Sequence, residues 1–359
     1  MLCRAFAWYI AHMSPVDWRE LYASNRAVIE RAGVSPAGLR AVTAPRTGVP
    51  RLRLPRLRVP HSRAEGSGMD GALVHAPAGL DPDVAVPLVC MLHGCTQDAA
   101  SFAAATAAGA LADRHGFVVL YPEQDRAANP QGCWNWFRPE HQARGAGEPA
   151  RIAAMVRELV ATGSHGTIDP RRVFVAGLSA GGAMAATMAA THPDLFAALA
   201  VHSGLAHGAA DGMGGAFKAM AGGANGAAIG RLPYPIPTMV VHGDADRTVA
   251  RVCGEQVLAQ WMAANGVTGP PDSTVRGRVP GGHAFTRSRW TDRRGAPVHE
   301  RLIVEGMGHA WSGGTAGASH TDPRGPDATA AILAFFAEAT AAAPAARAPM
   351  ALLSAGQPK

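Results

Sequence analysis

The chain has 359 residues, 48% of them hydrophobic and 17% charged, a balance that fits a folded globular protein and excludes a wholly disordered one. Part of its +6 formal charge sits in the arginine-rich stretch "RTGVPRLRLPRLR" at residues 46–58, whose prolines make it a solvated linker rather than a nucleic-acid face. The five cysteines, Cys3, Cys90, Cys95, Cys133 and Cys253, follow no C-x-x-C or Cys/His metal spacing, and no uninterrupted apolar run approaches membrane-spanning length. Metal, membrane and nucleic acid are therefore not expected partners.

Residues 1–65 hold one amphipathic stretch, near residues 16–31, followed by the basic linker, so they read as an N-terminal appendage. The opening "MLCRAFAWYIAHMSPVDW" has its short apolar run broken by His12 and offers no clear cleavage site. By sequence it carries no clear export signal, which points to the cytoplasm.

The core is expected over residues 66–340. An edge strand "GALVHAPA" comes first, then the buried strand "PLVCMLHG", a helix "DAASFAAATAAGALADRHG", the strand "FVVLYPEQ" and a polar, aromatic loop around "GCWNWF". The helix "EPARIAAMVRELVATG", the strand "RRVFVAG", a small-residue helix after Ser179 and the strand "FAALAVHSG" follow. Beyond a glycine-rich stretch at residues 208–231, a lid or a plain loop, come "PIPTMVVHGDAD", the helix "CGEQVLAQWMAANG", the strand "ERLIVEGMGHAW" and a closing helix "DATAAILAFFAEAT". Alternating apolar strands and helices predict an α/β fold with a mainly parallel central sheet covered by helices on both faces. Residues 341–359, rich in alanine and proline, read as a low-complexity tail.

Ligand sites in such folds form at the carboxyl ends of the strands. Gly177, Ser179 and Gly181 make G-x-S-x-G between a strand and a helix, the context in which a serine becomes a nucleophile on a tight turn. The competing reading is a helix cap. A serine hydroxyl needs a base, and the base needs an orienting carboxylate. "HGDADRTV" offers Asp244 or Asp246, and "GMGHAW" offers His309, in the chain order of α/β-hydrolases. The amide of Ala180 and one from "LHGCTQ", at Cys95, would form the oxyanion hole. Each residue alone has an ordinary structural explanation; their arrival at successive strand ends is what favours chemistry.

With these stretches in view, "MLHGCTQDAASF", "CWNWF", "IDPRRVFVAGLSAGGAMA", "VVHGDADRTV" and "VEGMGHAWSGG" resemble the poly(3-hydroxybutyrate) depolymerase family of esterases. The resemblance implies an α/β-hydrolase fold and a serine esterase without cofactor, acting on hydroxyalkanoate esters, with feruloyl or acetylxylan esters as the alternative. It favours Asp246 over Asp244, because the family's H-G-x-x-D-x-x-V falls on His242, Gly243, Asp246 and Val249. It also makes an extracellular location the alternative to the cytoplasm. Trp134, Asn135, Trp136 and Trp311 are the expected substrate contacts, since a polyester presents alternating apolar and carbonyl groups. The chain departs from the family in carrying Cys253 before "GEQ" and His320 before "TDP". Whether Cys95 and Cys133 pair, and in what oligomeric state the chain works, is left open by the sequence.

Overall fold

The computed structural model describes residues 71–230 and 232–341. The amphipathic stretch, the basic linker and the tail beyond residue 341 lie outside the described residues.

Nine strands form one sheet: β1 (Ala72–His75), β2 (Val86–Leu92), β3 (Val118–Pro122), β4 (Ile168–Leu178), β5 (Ala198–His202), β6 (Thr238–Gly243), β7 (Ser273–Arg278), β8 (Ala284–Thr291) and β9 (Pro297–Val304), in the order β1-β3-β2-β4-β5-β6-β9-β8-β7. The six strands from β3 to β9 in that order run parallel, while β1 at one edge and the β8–β7 hairpin at the other are antiparallel. Strands β2, β3, β5 and β6 are mostly apolar and buried, as strands covered on both faces must be, whereas β4 carries Asp169, Arg171 and Arg172 near its start and β9 carries Glu300 and Arg301. A short parallel pair, β10 (Trp311–Ser312) with β11 (Thr321–Asp322), stands apart.

Seven helices are described: α1 (Ala99–Thr106), α2 (Ala108–His115), α3 (Gly147–Thr162), α4 (Ala180–Thr191), α5 (Met213–Gly222), α6 (Arg251–Ala264) and α7 (Ala328–Ala341). Side chains of α3, α4 and α6 share one apolar cluster with the sheet, and those of α1, α2 and α7 share the other. The sheet is thus sandwiched between two helical layers, as the alternating pattern predicts. No described helix is long and apolar enough to cross a membrane.

Two local expectations change. The helix expected over residues 98–116 is two helices, because Ala107 takes a left-handed φ of 51° and ends the first. The strands β7 and β8 add a hairpin that the run from α6 to "ERLIVEG" left unassigned. Its residues are charged or half-exposed, so no apolar run marks it.

Register explains why the marked residues meet. Leu92 pairs with Gly177, Leu178 with His202, His202 with Val241, and Gly243 with Val304. The strand ends therefore stand in one row, and the segments carrying Cys95, Ser179, Asp246 and His309 all leave from it.

Candidate active site

Ser179 lies between β4 and α4 with φ 59° and ψ −120°, and its side chain makes no capping hydrogen bond to the helix it precedes. The cap reading therefore lapses. Its own N–H donates to the carbonyl of His202 at 2.9 Å, fixing the turn to the neighbouring strand. The flanking glycines are steric necessities: a Cβ on Gly177 would stand 2.3 Å from the Gly181 carbonyl oxygen, and one on Gly181 would stand 2.1 Å from that of Leu92. Strand, turn and helix can approach this closely only without those side chains. The helix beyond is alanine-rich for the same reason, with Ala180 to Ala189 all buried.

Asp246 follows β6 and divides its two oxygens between two tasks. Oδ1 accepts from the N–H groups of Thr248 and Val249, each at 2.9 Å, which closes the turn. Oδ2 lies 2.7 Å from His309 Nδ1. Burial alone would raise the Asp246 carboxyl, but hydrogen bonds from His242 and His309 outweigh it and hold it well below the usual carboxylate range. The neighbouring Asp244 instead accepts from the Gly306 N–H at 2.6 Å, steadying the loop that carries His309. The two aspartates thus differ in their partners, and it is Asp246 that meets the His309 ring.

Two amides point to the oxyanion function. The N–H groups of Cys95 and Ala180 have no acceptor among the described residues. Cys95 is bonded to Cys133, which joins the loop after β2 to the "CWNWF" segment. His93 at the base of the same loop is held by three bonds: Nδ1 donates to the Gly94 carbonyl at 2.8 Å, Nε2 accepts from Gln124 N–H at 3.1 Å, and its carbonyl accepts from Trp134 Nε1 at 3.1 Å. Burial lowers the pKa of this imidazole.

The aromatic candidates are buried. Trp134, Asn135, Trp136 and Trp311 are 0, 2, 4 and 0% exposed. Each is engaged with the loops around the site. Trp134 anchors His93; Asn135 Nδ2 donates to Glu148 Oε1 at 2.7 Å; Trp136 packs edge-on against Phe137; Trp311 Nε1 donates to Thr329 at 3.0 Å. The sequence signal that would have warned of this is weak, since an apolar spacing of two fits a buried loop as well as an open one.

His202 was not singled out from the sequence, although "HSG" ends a strand as "LHG" does. Its carbonyl holds Ser179, its ring lies stacked 4.9 Å from Trp311, and Nε2 accepts from the Ser312 N–H at 3.0 Å. Burial, aided by repulsion from His242 and His309, keeps this ring's pKa well below the usual histidine value, so it stays neutral and can accept. It ties the Ser179 turn to the segment just beyond His309.

Known proteins give the arrangement a context. The chain is 38% identical over 246 residues to poly(3-hydroxyalkanoate) depolymerase C of Paucimonas lemoignei, covering 66% of this chain and 57% of that protein. It is 32% identical over 197 residues to feruloyl esterase B of Neurospora crassa, covering 50% of this chain and 65% of that one. It thus spans less than two thirds of the length of either relative. Among solved structures, the acetyl xylan esterase from Aspergillus awamori matches with a TM-score of 0.54 at 23% identity, covering 66% of this chain and 88% of that one, which supports the fold. The family described as esterase PHB depolymerase matches residues 72–279, more than half of the chain, and this protein belongs to it.

Proposed function

We propose that the chain is a carboxylic ester hydrolase that cleaves hydroxyalkanoate esters through Ser179, His309 and Asp246. The observation that carries the reading is the 2.7 Å contact of His309 Nδ1 with Asp246, at the strand-end row from which the strained Ser179 turn also leaves. With Nδ1 engaged, Nε2 is the nitrogen left for proton transfer.

In this mechanism His309 Nε2 takes the Ser179 proton as Oγ attacks the ester carbonyl, and the Asp246 carboxylate balances the charge gained by the imidazole. The carbonyl oxygen, now negative, accepts from the Cys95 and Ala180 amides. Collapse expels the alcohol, which receives the proton from His309, and leaves an acyl group on Ser179. Water, deprotonated by His309, then attacks the acyl carbonyl; collapse releases the acid and returns the proton to Ser179.

The substrate class rests on the relatives, whose names include both a hydroxyalkanoate depolymerase and a feruloyl esterase. The two share this chemistry and differ in the acyl and alcohol groups they take. The test is a hydrolysis panel of p-nitrophenyl butyrate, a 3-hydroxybutyrate trimer and a feruloylated arabinose, with Ser179→Ala as the blank. The expected result is turnover of the first two, falling by about a thousandfold or more in Ser179→Ala. Equal turnover by the variant overturns the mechanism, and preference for the feruloyl sugar overturns the substrate class.

A further inference from the structure

The loop at residues 93–97 offers several backbone amides near the nucleophile, yet an oxyanion hole must present one of them and silence the others. Gly94 lies against the site: a Cβ built on it would stand 3.6 Å from Ser179 Cβ. Its N–H does not face that space, because it donates to Gln97 Oε1 at 2.9 Å. Thr96 N–H donates to the Gln131 carbonyl at 2.7 Å, and Gln97 N–H turns back to the Gly94 carbonyl at 3.4 Å. Of the amides of residues 94–97, only that of Cys95 lacks an acceptor among the described residues.

The other end of the Gln97 carboxamide reaches across the site. Nε2 donates at 3.0 Å to the carbonyl of Ser319, 222 residues further along the chain. Ser319 leads into His320, whose carbonyl accepts from Trp311 N–H at 2.7 Å, two residues beyond His309. Gln97 is 2% exposed, so water cannot readily replace either bond. The next residue, Asp98, begins α1 with a reciprocal cap to Ser101, which fixes the far side of the loop. One side chain therefore uses its acceptor to withdraw the wrong amide and its donor to tie the oxyanion loop to the segment downstream of the base.

We infer that Gln97 is a positioning residue for the oxyanion hole: it selects the Cys95 amide as donor and sets its distance from the reacting carbonyl. This rests on the ester-hydrolase reading above. A glutamine that merely filled space would affect folding, whereas one that aims a transition-state donor must affect kcat more than KM.

Gln97→Glu separates the two. It keeps the size of the side chain and an acceptor for Gly94. When ionised it has no donor and sets a negative charge against the Ser319 carbonyl; when protonated it regains an O–H for that bond. The experiment measures kcat and KM for p-nitrophenyl butyrate, with inhibition by an alkylboronic acid, between about pH 5 and 9 for wild type, Gln97→Glu, Gln97→Met and Ser179→Ala. At alkaline pH the Gln97→Glu kcat is expected to be roughly 10- to 100-fold below wild type, with KM within about threefold and boronate affinity falling with kcat. Its kcat ratio to wild type recovers as pH falls, while Gln97→Met keeps a deficit at every pH.

A Gln97→Glu ratio near one at all pH values, or a deficit confined to KM, overturns the inference while leaving the hydrolase reading intact. Full activity in Ser179→Ala overturns both. Should Gln97→Met fail to fold, the pH dependence of the Gln97→Glu ratio decides alone.

Discussion

At Ser179 the backbone is held with φ 59°, a conformation that costs a non-glycine residue on the order of 1–3 kcal/mol and persists only where its surroundings enforce it. Here they do: the Ser179 N–H is bonded to β5, its carbonyl accepts the Ala183 N–H at 2.9 Å, and glycines on either side allow the closure. Asp246 is held differently, by its side chain, with each oxygen committed. Asp246→Asn preserves the shape but removes the charge and disturbs the His309 tautomer. It is expected to lower kcat by roughly 10³- to 10⁴-fold with KM little changed, measured by steady-state kinetics on p-nitrophenyl butyrate. Ser179 and His309 could be picked out in the sequence because short motifs at strand ends mark them. The choice of Asp246 over Asp244, two residues apart, rests on resemblance in the sequence; in the structure Asp246 meets the His309 ring as well as two backbone amides, whereas Asp244 accepts from the Gly306 amide.

Among the elements, the segments that follow the strands carry the candidate chemistry, and each is fastened to something rigid. The loop after β2 is joined to residues 133–137 by the Cys95–Cys133 bond, and those residues are held in turn by the buried carboxylate of Glu148 on α3, to which Asn135 N–H donates at 2.8 Å. A disulfide closing a loop of this length contributes about 4 kcal/mol to stability by the chain-entropy relation. Reduction, or Cys133→Ser, is therefore expected to lower the melting temperature and, because Cys95 carries the proposed oxyanion amide, to lower kcat. Melting curves and initial rates before and after dithiothreitol, then after reoxidation, check this; unchanged kcat on full reduction would remove the link between the bond and the oxyanion loop. No spacing rule marked this pair, since Cys95 and Cys133 are 38 residues apart. The hairpin of β7 and β8 was hidden for a different reason. The β8 arginines Arg287 and Arg289 are matched by a buried partner on another strand, Glu300, whose Oε2 accepts from Arg287 at 2.9 Å and from Arg289 at 2.6 Å, and a charge satisfied across strands leaves no local signature.

For the molecule as a whole, burial of neutral histidines sets how stability responds to acid. Burial, the larger cause, and the guanidinium groups of Arg144 and Arg157 push His192 down to about 4, and burial pushes His299 down to about 4 as well. In the unfolded chain such a side chain takes up its proton near pH 6.5, so between there and pH 4 the unfolded state binds more protons than the folded one. Stability is therefore complete above about pH 6.5 and falls by a few kcal/mol for a group such as His299 as pH drops to about 4. Urea denaturation across this range is expected to show the slope, and His299→Gln to flatten it; an equal slope in that variant would assign the effect to other groups.

The alternation of apolar strands with helices, and the motifs placed at the strand ends, were determined by the sequence alone, because burial of both sheet faces demands continuous apolar runs and a tight nucleophile turn demands glycine. Only the tertiary structure decided what depended on contacts between distant segments. The register put the strand ends in one row. The packing closed over Trp134, Asn135, Trp136 and Trp311, which the sequence left as an aromatic loop and a strand end. The meeting of Gln97 with Ser319 committed one amide and left its neighbour open. Local patterns record what a residue needs from its immediate neighbours; they carry no trace of a hydrogen bond that spans 222 residues.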